Sequence, residues 1–137
     1  MRILGLDVGS RTIGVACSDA LLFTAQGVEV IRRQSWDKDF SRLIALVEEK
    51  EVHRIVVGMP KHMNGEKGEN AMKVEHFVEK LKVLLPQMDF VFWDERLSTV
   101  MAQKHLISAN VSRDKRKKII DKMAAVVILQ GYLNSLT

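Results

Sequence analysis

Arg2-Ile3-Leu4-Gly5-Leu6-Asp7-Val8-Gly9-Ser10 decides the fold. Ile3, Leu4, Leu6 and Val8 are apolar on both faces of an extended chain. That pattern belongs to a strand in the middle of a covered sheet. Gly9-Ser10 then turns the chain. Arg11 to Asp19, with Thr12, Ile13, Val15 and Cys17, reads as a second strand, so the two form a hairpin. One acid, Asp7, interrupts the apolar run. A carboxylate in a buried strand is costly unless it is paired or coordinates a cation. The ordinary alternative is an acid that caps the turn backbone.

Working outward, Gln26 to Arg33 is a third strand. Ser35 is placed to cap a helix over roughly Trp36 to Glu51, whose Phe40, Leu43, Ile44 and Val47 fall at helical spacing. Arg54 to Met59 is a short apolar strand ended by Pro60. Strand, helix and strand in succession indicate a crossover, so the sheet continues in parallel. Lys61 to Gly68 carries the turn formers Asn64-Gly65 and Lys67-Gly68. It follows the carboxyl end of a strand, where open α/β sheets place ligands. A second helix runs from Glu69 to Leu85, with Met72, Phe77, Val78, Leu81 and Leu84 expected inward, and Pro86 stops it. Asp89 to Trp93 is the next strand, ending in Asp94-Glu95-Arg96. Ser98 precedes a helix from Thr99 to Ile107, Ser108 to Asp114 reads as a loop, and a last helix spans about Lys115 to Asn134.

At 137 residues, 47% hydrophobic and 28% charged, the chain is expected to form one soluble domain over 1–137. No apolar run approaches the roughly 20 residues of a membrane helix. The opening residues pass straight into an acid-bearing strand without a signal-peptide pattern, so a cytoplasmic location is expected. Cys17 is the only cysteine, which excludes an intrachain disulfide and a thiolate metal site. It reads as a small core residue. The four histidines, His53, His62, His76 and His105, lack ligand spacing, which argues against zinc. The balance of 21 basic against 17 acidic residues permits a polyanionic partner.

Two further acids interrupt apolar sequence. In the fifth strand, Phe92 and Asp94 share one face and Val91 and Trp93 the other, with Glu95 at the lip. Either Asp94 or Glu95 is a candidate. On the last helix, Asp121 shares a stripe with Ala124, Ala125, Ile128 and Tyr132. The two alanines let that helix approach the sheet closely, bringing Asp121 towards the strand ends. Each acid alone has a plain structural explanation, as a strand end or a helix first turn. Together they form a like-charged set of the kind a divalent cation stabilises. Oxygen-only ligands select Mg²⁺ or Mn²⁺, and such a site suits phosphodiester hydrolysis.

These residues resemble the YqgF/RuvX family of Holliday-junction resolvases and pre-16S rRNA nucleases. Four blocks carry the resemblance: Gly5 to Gly9 with Ile13 to Ala16; Val57 to Pro60 with Asn64-Gly65; Asp94 to Thr99; and Asp121 to Ala125 with Ile128 to Leu133. Together they extend over nearly the whole chain. The resemblance implies an α/β, RNase H-like fold, with a central five-stranded mixed sheet whose first three strands are antiparallel, flanked by helices. It implies Asp7, Glu95 and Asp121 as catalytic and metal-binding carboxylates for Mg²⁺ or Mn²⁺, and it is what selects Glu95 over Asp94. The implied activity is endonucleolytic, on the 5′ end of ribosomal RNA precursors, or alternatively on branched DNA.

A basic cluster, Arg113, Lys115, Arg116, Lys117 and Lys118, precedes Asp121 in sequence. Cations oppose the dipole at a helix N-terminus, so phosphate contact is the better reading. Arg11, Lys61, Asn64 and Arg96 sit at predicted strand ends near the acids and are further nucleic-acid contacts. The expected partner is therefore an rRNA precursor or a DNA junction, engaged by a monomer or a homodimer. Two other classes compete. A sugar kinase or actin-like ATPase also opens with Asp-x-Gly, but nucleotide there lies between two such domains and this chain has room for one. A non-catalytic nucleic-acid-binding module would not need three acids.

Overall fold

A computed structural model describes residues 1–60, 68–94 and 113–136, with the side chains of 113–122 excepted. Lys61, Asn64, Glu95, Arg96 and the expected helix at Thr99–Ile107 lie outside the described residues. Five strands, β1 (Arg2–Val8), β2 (Thr12–Ser18), β3 (Ala25–Arg32), β4 (Val52–Met59) and β5 (Asp89–Asp94), are described together with three helices. The helices are α1 (Trp36–Glu49), α2 (Glu69–Leu84) and α3 (Arg113–Ser135). The spatial order is β3-β2-β1-β4-β5. β1, β2 and β3 pair antiparallel, whereas β4 runs parallel to β1 and β5 parallel to β4. The opening stretch is therefore the central strand, as its two-faced apolarity requires.

Each sheet face has its own core. Leu4, Leu6, Ile13, Val15, Cys17, Ile55, Val57 and Met59 pack against α1 and α2 through Phe40, Leu43, Leu46, Val74, Phe77 and Leu81. The opposite face presents Ile3, Ala16 and Val56 to Ala125, Ile128, Leu129, Tyr132 and Leu133 of α3. Alternation along each strand divides the residues between the faces. Cys17 lies in the larger core, and burial pushes its thiol above the usual range, so it stays protonated at neutral pH.

Local signals mostly hold. The Ser35 hydroxyl accepts from the Lys38 N–H at 3.2 Å and caps α1. Two inward assignments on α2 are corrected. Met72 is 65% exposed and Leu84 50% exposed. Val74, Phe77, Val78 and Leu81 form the buried stripe, which runs back to Ala71. Met72 sits well round the helix from that stripe at 100° per residue. Leu84 falls in the last turn, where Leu85 packs on the core instead. In α1, Leu46 is buried while Ile44 is only half-buried.

Candidate active site and nucleic-acid interface

Alternation along β1 puts Ile3, Gly5 and Asp7 on the face covered by α3. Asp7 is half-buried near the carboxyl end of the central strand. Its partner across β2 is Gly14. On the other side, one step beyond the Leu6–Val57 pair, stands Gly58 of β4. Both neighbours are glycines and put no side chain of their own beside the Asp7 carboxylate on this face. Hard carboxylate oxygens are the donor type that a hydrated divalent cation takes. Among the described residues, no three His, Cys, Asp or Glu side chains cluster as metal ligands. Glu95 and the side chain of Asp121 lie outside them.

The approach of α3 is set by Gly5. A Cβ on Gly5 would stand 2.7 Å from the Leu129 Cβ and 3.2 Å from the Ala125 carbonyl oxygen. Only glycine admits a helix this close. The far end of α3 is pinned by polar contacts. Arg54 Nη1 donates to the Tyr132 hydroxyl at 2.8 Å and Arg54 Nε to Asp89 at 2.6 Å. Gln130 accepts from the Ala25 N–H and donates to the Phe23 carbonyl, each at 2.9 Å. Arg54 is the register partner of Ile3. Thus residue 132 lies beside the start of β1, residues 125 and 129 beside Gly5, and α3 runs antiparallel to the strand. Going back from residue 125 to 121 covers about 6 Å of helix. Going from Gly5 to Asp7 covers about 7 Å of strand. The backbone of α3 therefore carries position 121 to the level of Asp7.

β5 bears on the choice between Asp94 and Glu95. Val91 and Trp93 belong to the α3 face, Phe90 to the other. Trp93 stacks edge-on against Tyr132, with ring centroids 6.0 Å apart. Asp94 follows Trp93 and so points to the α1/α2 face, away from Asp7. Sequence periodicity left the choice open because it could not say which way Trp93 faces.

Arg11 is exposed in the β1–β2 turn, at the same end of β1 as Asp7. Arg113, Lys115, Arg116, Lys117 and Lys118 all lie on the first turns of α3, which begins earlier than the sequence suggests, at Arg113. One residue escaped the sequence reading. Arg33 donates through Nη1 to the Gly9 carbonyl at 2.9 Å and through Nε to the buried Asp39 at 3.4 Å. Its guanidinium stacks on the rings of Trp36 and Phe77, at 5.1 and 5.4 Å. No local signal marks it, because Gly9 and Phe77 are distant in sequence. Among the described residues, no helix is long and apolar enough to cross a membrane.

The architecture is that of the RNase H-like, RuvC-type resolvases. The chain aligns over 99% of its length with Thermus thermophilus RuvC in complex with a Holliday junction substrate. That match covers 96% of the other chain, with a TM-score of 0.60 at 14% identity. The fowlpox virus resolvase, solved with Holliday junction DNA, matches over 99% of both chains with a TM-score of 0.60 at 15% identity. At the sequence level, the model for the family described as "RuvX: Holliday junction resolvase" matches residues 1–135, and the chain belongs to that family. A relative from Desulforamulus reducens is 61% identical over 135 residues, 98% of each chain. Another from Bacillus thuringiensis is 56% identical over 137 residues, 98% of this chain and 99% of its own. Both bear the name "Putative pre-16S rRNA nuclease".

Proposed function

We propose that this protein is a divalent-metal-dependent endonuclease that trims the 5′ end of pre-16S ribosomal RNA in the cytoplasm. The observation that carries the reading is Asp7. It is a carboxylate near the end of the central strand, flanked by two glycines, on the face against which Gly5 admits α3. Family membership and two near relatives named for this activity support it.

In this reading Asp7, Glu95 and Asp121 hold the cation, and Asp94 serves the opposite face. When bound, Mg²⁺ or Mn²⁺ supplies a water of lowered pKa and charge stabilisation at the leaving oxygen. The chain's own residues bind and orient. Arg11, Lys61, Asn64 and Arg96, with the basic start of α3, draw the phosphate backbone towards the acids. Such contacts give affinity and little sequence specificity. The Trp93–Tyr132–Arg54 contacts hold the far end of α3, which fixes how position 121 stands against Asp7.

A second reading, cleavage of DNA four-way junctions, is favoured by the family description and by the two resolvases that share the fold. One assay separates them. Pre-16S RNA and a four-way junction are offered side by side with Mg²⁺ or Mn²⁺, with Asp7→Asn as control. RNA cleavage that falls about 1,000-fold in the variant, roughly 4 kcal/mol of transition-state stabilisation, is the expected result. Junction cleavage alone moves the assignment to recombination. Equal cutting by wild type and variant sinks the carboxylate mechanism.

A further inference from the structure

On the side of the sheet opposite Asp7, the same end of β1 borders a cavity of about 250 Å³. Val8, Gly9, Ser10, Arg33, Pro60, Asn70, Lys73 and Val74 line it. We propose that this cavity holds a backbone phosphate of the bound nucleic acid, a second anchoring point beyond the acids. The inference rests on the nuclease reading and adds to it a contact apart from the acids and the basic residues that reading uses.

Four features favour an anion. First, among the described residues no lining residue is acidic, and the polar ones bring N–H and O–H donors. Second, Arg33 is fixed before any ligand arrives. Asp39 takes its Nε, Gly9 one Nη1 hydrogen, and the Trp36 and Phe77 rings hold the guanidinium plane. Of five guanidinium donors, three stay available beside the cavity. A fork already held in place loses little entropy on binding a phosphate. Third, Asn70 lies in the first turn of α2, whose N-cap Gly68 makes no side-chain capping bond. The positive end of the helix dipole is thus close to the cavity. Fourth, the volume is below the roughly 300–1,000 Å³ of small-molecule pockets. It is large enough for a phosphate group.

Among the described residues, two carboxylates stand nearby and do not reverse the balance. Asp39 is 3% exposed behind Arg33 and is satisfied by that guanidinium and by the Gln34 N–H at 3.0 Å. Glu69 is 86% exposed and reaches Lys73 only at 3.8 Å, a contact that solvent screens. Position also matters. Asp7 and Val8 are consecutive, and their side chains leave β1 on opposite faces. A strand passing over the Gly9–Ser10 turn reaches Asp7 on one side and this cavity on the other.

The test uses the full-length protein in EDTA, so that binding is read without cleavage. The probe is a fluorescein-labelled RNA hairpin followed by anisotropy across a potassium chloride series, with inorganic phosphate as competitor. Lys73→Gln and Asn70→Asp are the variants of choice, because both side chains are exposed and Arg33 helps hold the fold together. Each is expected to weaken binding three- to tenfold. Lys73→Gln is also expected to reduce the slope of log K against log salt by about 0.7–0.9, one phosphate contact. Unchanged affinity and slope in both variants, with wild type binding well, overturn the cavity assignment and leave the nuclease reading intact. Competition by millimolar phosphate that both variants abolish, with RNA affinity unmoved, assigns the cavity to a free anion and also overturns it. If wild type binds neither RNA nor a DNA junction, both proposals fall together.

Discussion

The two faces of the sheet are built on different terms. The α1/α2 face is thick and apolar, with Phe40, Leu43, Phe77 and Leu81 filling the space between helices and strands. The α3 face is thin. Gly5, Ala16, Ala124 and Ala125 let the helix ride close to the strands. Large buried side chains on the first face remove more apolar surface from water and contribute most of the stability. Small residues on the second face set a distance. That distance governs where position 121 stands relative to Asp7. Stability and site geometry are thus largely assigned to opposite sides of one strand, β1.

This division is testable by comparing what each face loses. Leu43, fully buried on the inner face of α1, gives the largest stability effect. Leu43→Ala is expected to cost about 2–5 kcal/mol in urea unfolding, with cleavage per folded molecule unchanged. A parallel loss of specific activity would break the comparison. Next comes Gly5→Ala. The added methyl meets the Leu129 Cβ at 2.7 Å, and a helix backbone cannot yield as a flexible side chain would. About 1–3 kcal/mol of stability is expected to go. Cleavage per folded molecule should also fall, because α3 moves away from β1. Preserved activity would show that α3 does not set the site.

Tyr132→Phe is milder. It removes the acceptor for Arg54 while keeping the ring against Trp93. About 1 kcal/mol is expected by the same measurement. A larger cost would mean that the polar pin, and not the apolar contact, holds the end of α3.

The smallest effect concerns Glu29 and Arg42, a bidentate pair at the rim of the α1/α2 face with contacts of 2.6 and 3.0 Å. Hydrogen bonding from Arg42 holds the Glu29 carboxyl below its ordinary value of 4.5. A depressed folded value stabilises the fold at pH above 4.5. That contribution disappears as pH falls below 4.5 through the folded value. Arg42→Gln should flatten the acid limb of the melting-temperature profile slightly. An unaltered limb would show that solvent screens the pair fully.

Much of this was legible in the chain. The unbroken apolarity of Ile3 to Leu6 marks a strand covered on both sides, whatever covers it. Ser35 before an amphipathic run marks a helix start, and the capping bond follows from local geometry. Gly5 was legible only as part of a motif. Its physical reason, the backbone of α3 pressed against it, depends on a helix more than a hundred residues away. Met72 was misread because an apolar residue in a helix is inward only if it lies on the stripe that the sheet selects.

Sequence pattern marked the five strands, α1, α2 and the last helix, the first hairpin and the parallel continuation, and a candidate acid in the central strand. Those properties depend on periodicity, turn formers and caps, which act over a few residues. Tertiary structure decided which faces Asp7 and Asp94 occupy. It set Asp7 between Gly14 and Gly58, turned Asp94 to the other side, and ran α3 antiparallel to β1 so that position 121 comes level with Asp7. It also gathered Arg33, Asn70 and Lys73 around one cavity. Side-chain direction alternates with every residue of a strand. Only the packing of one particular helix on one particular face turns that alternation into a site.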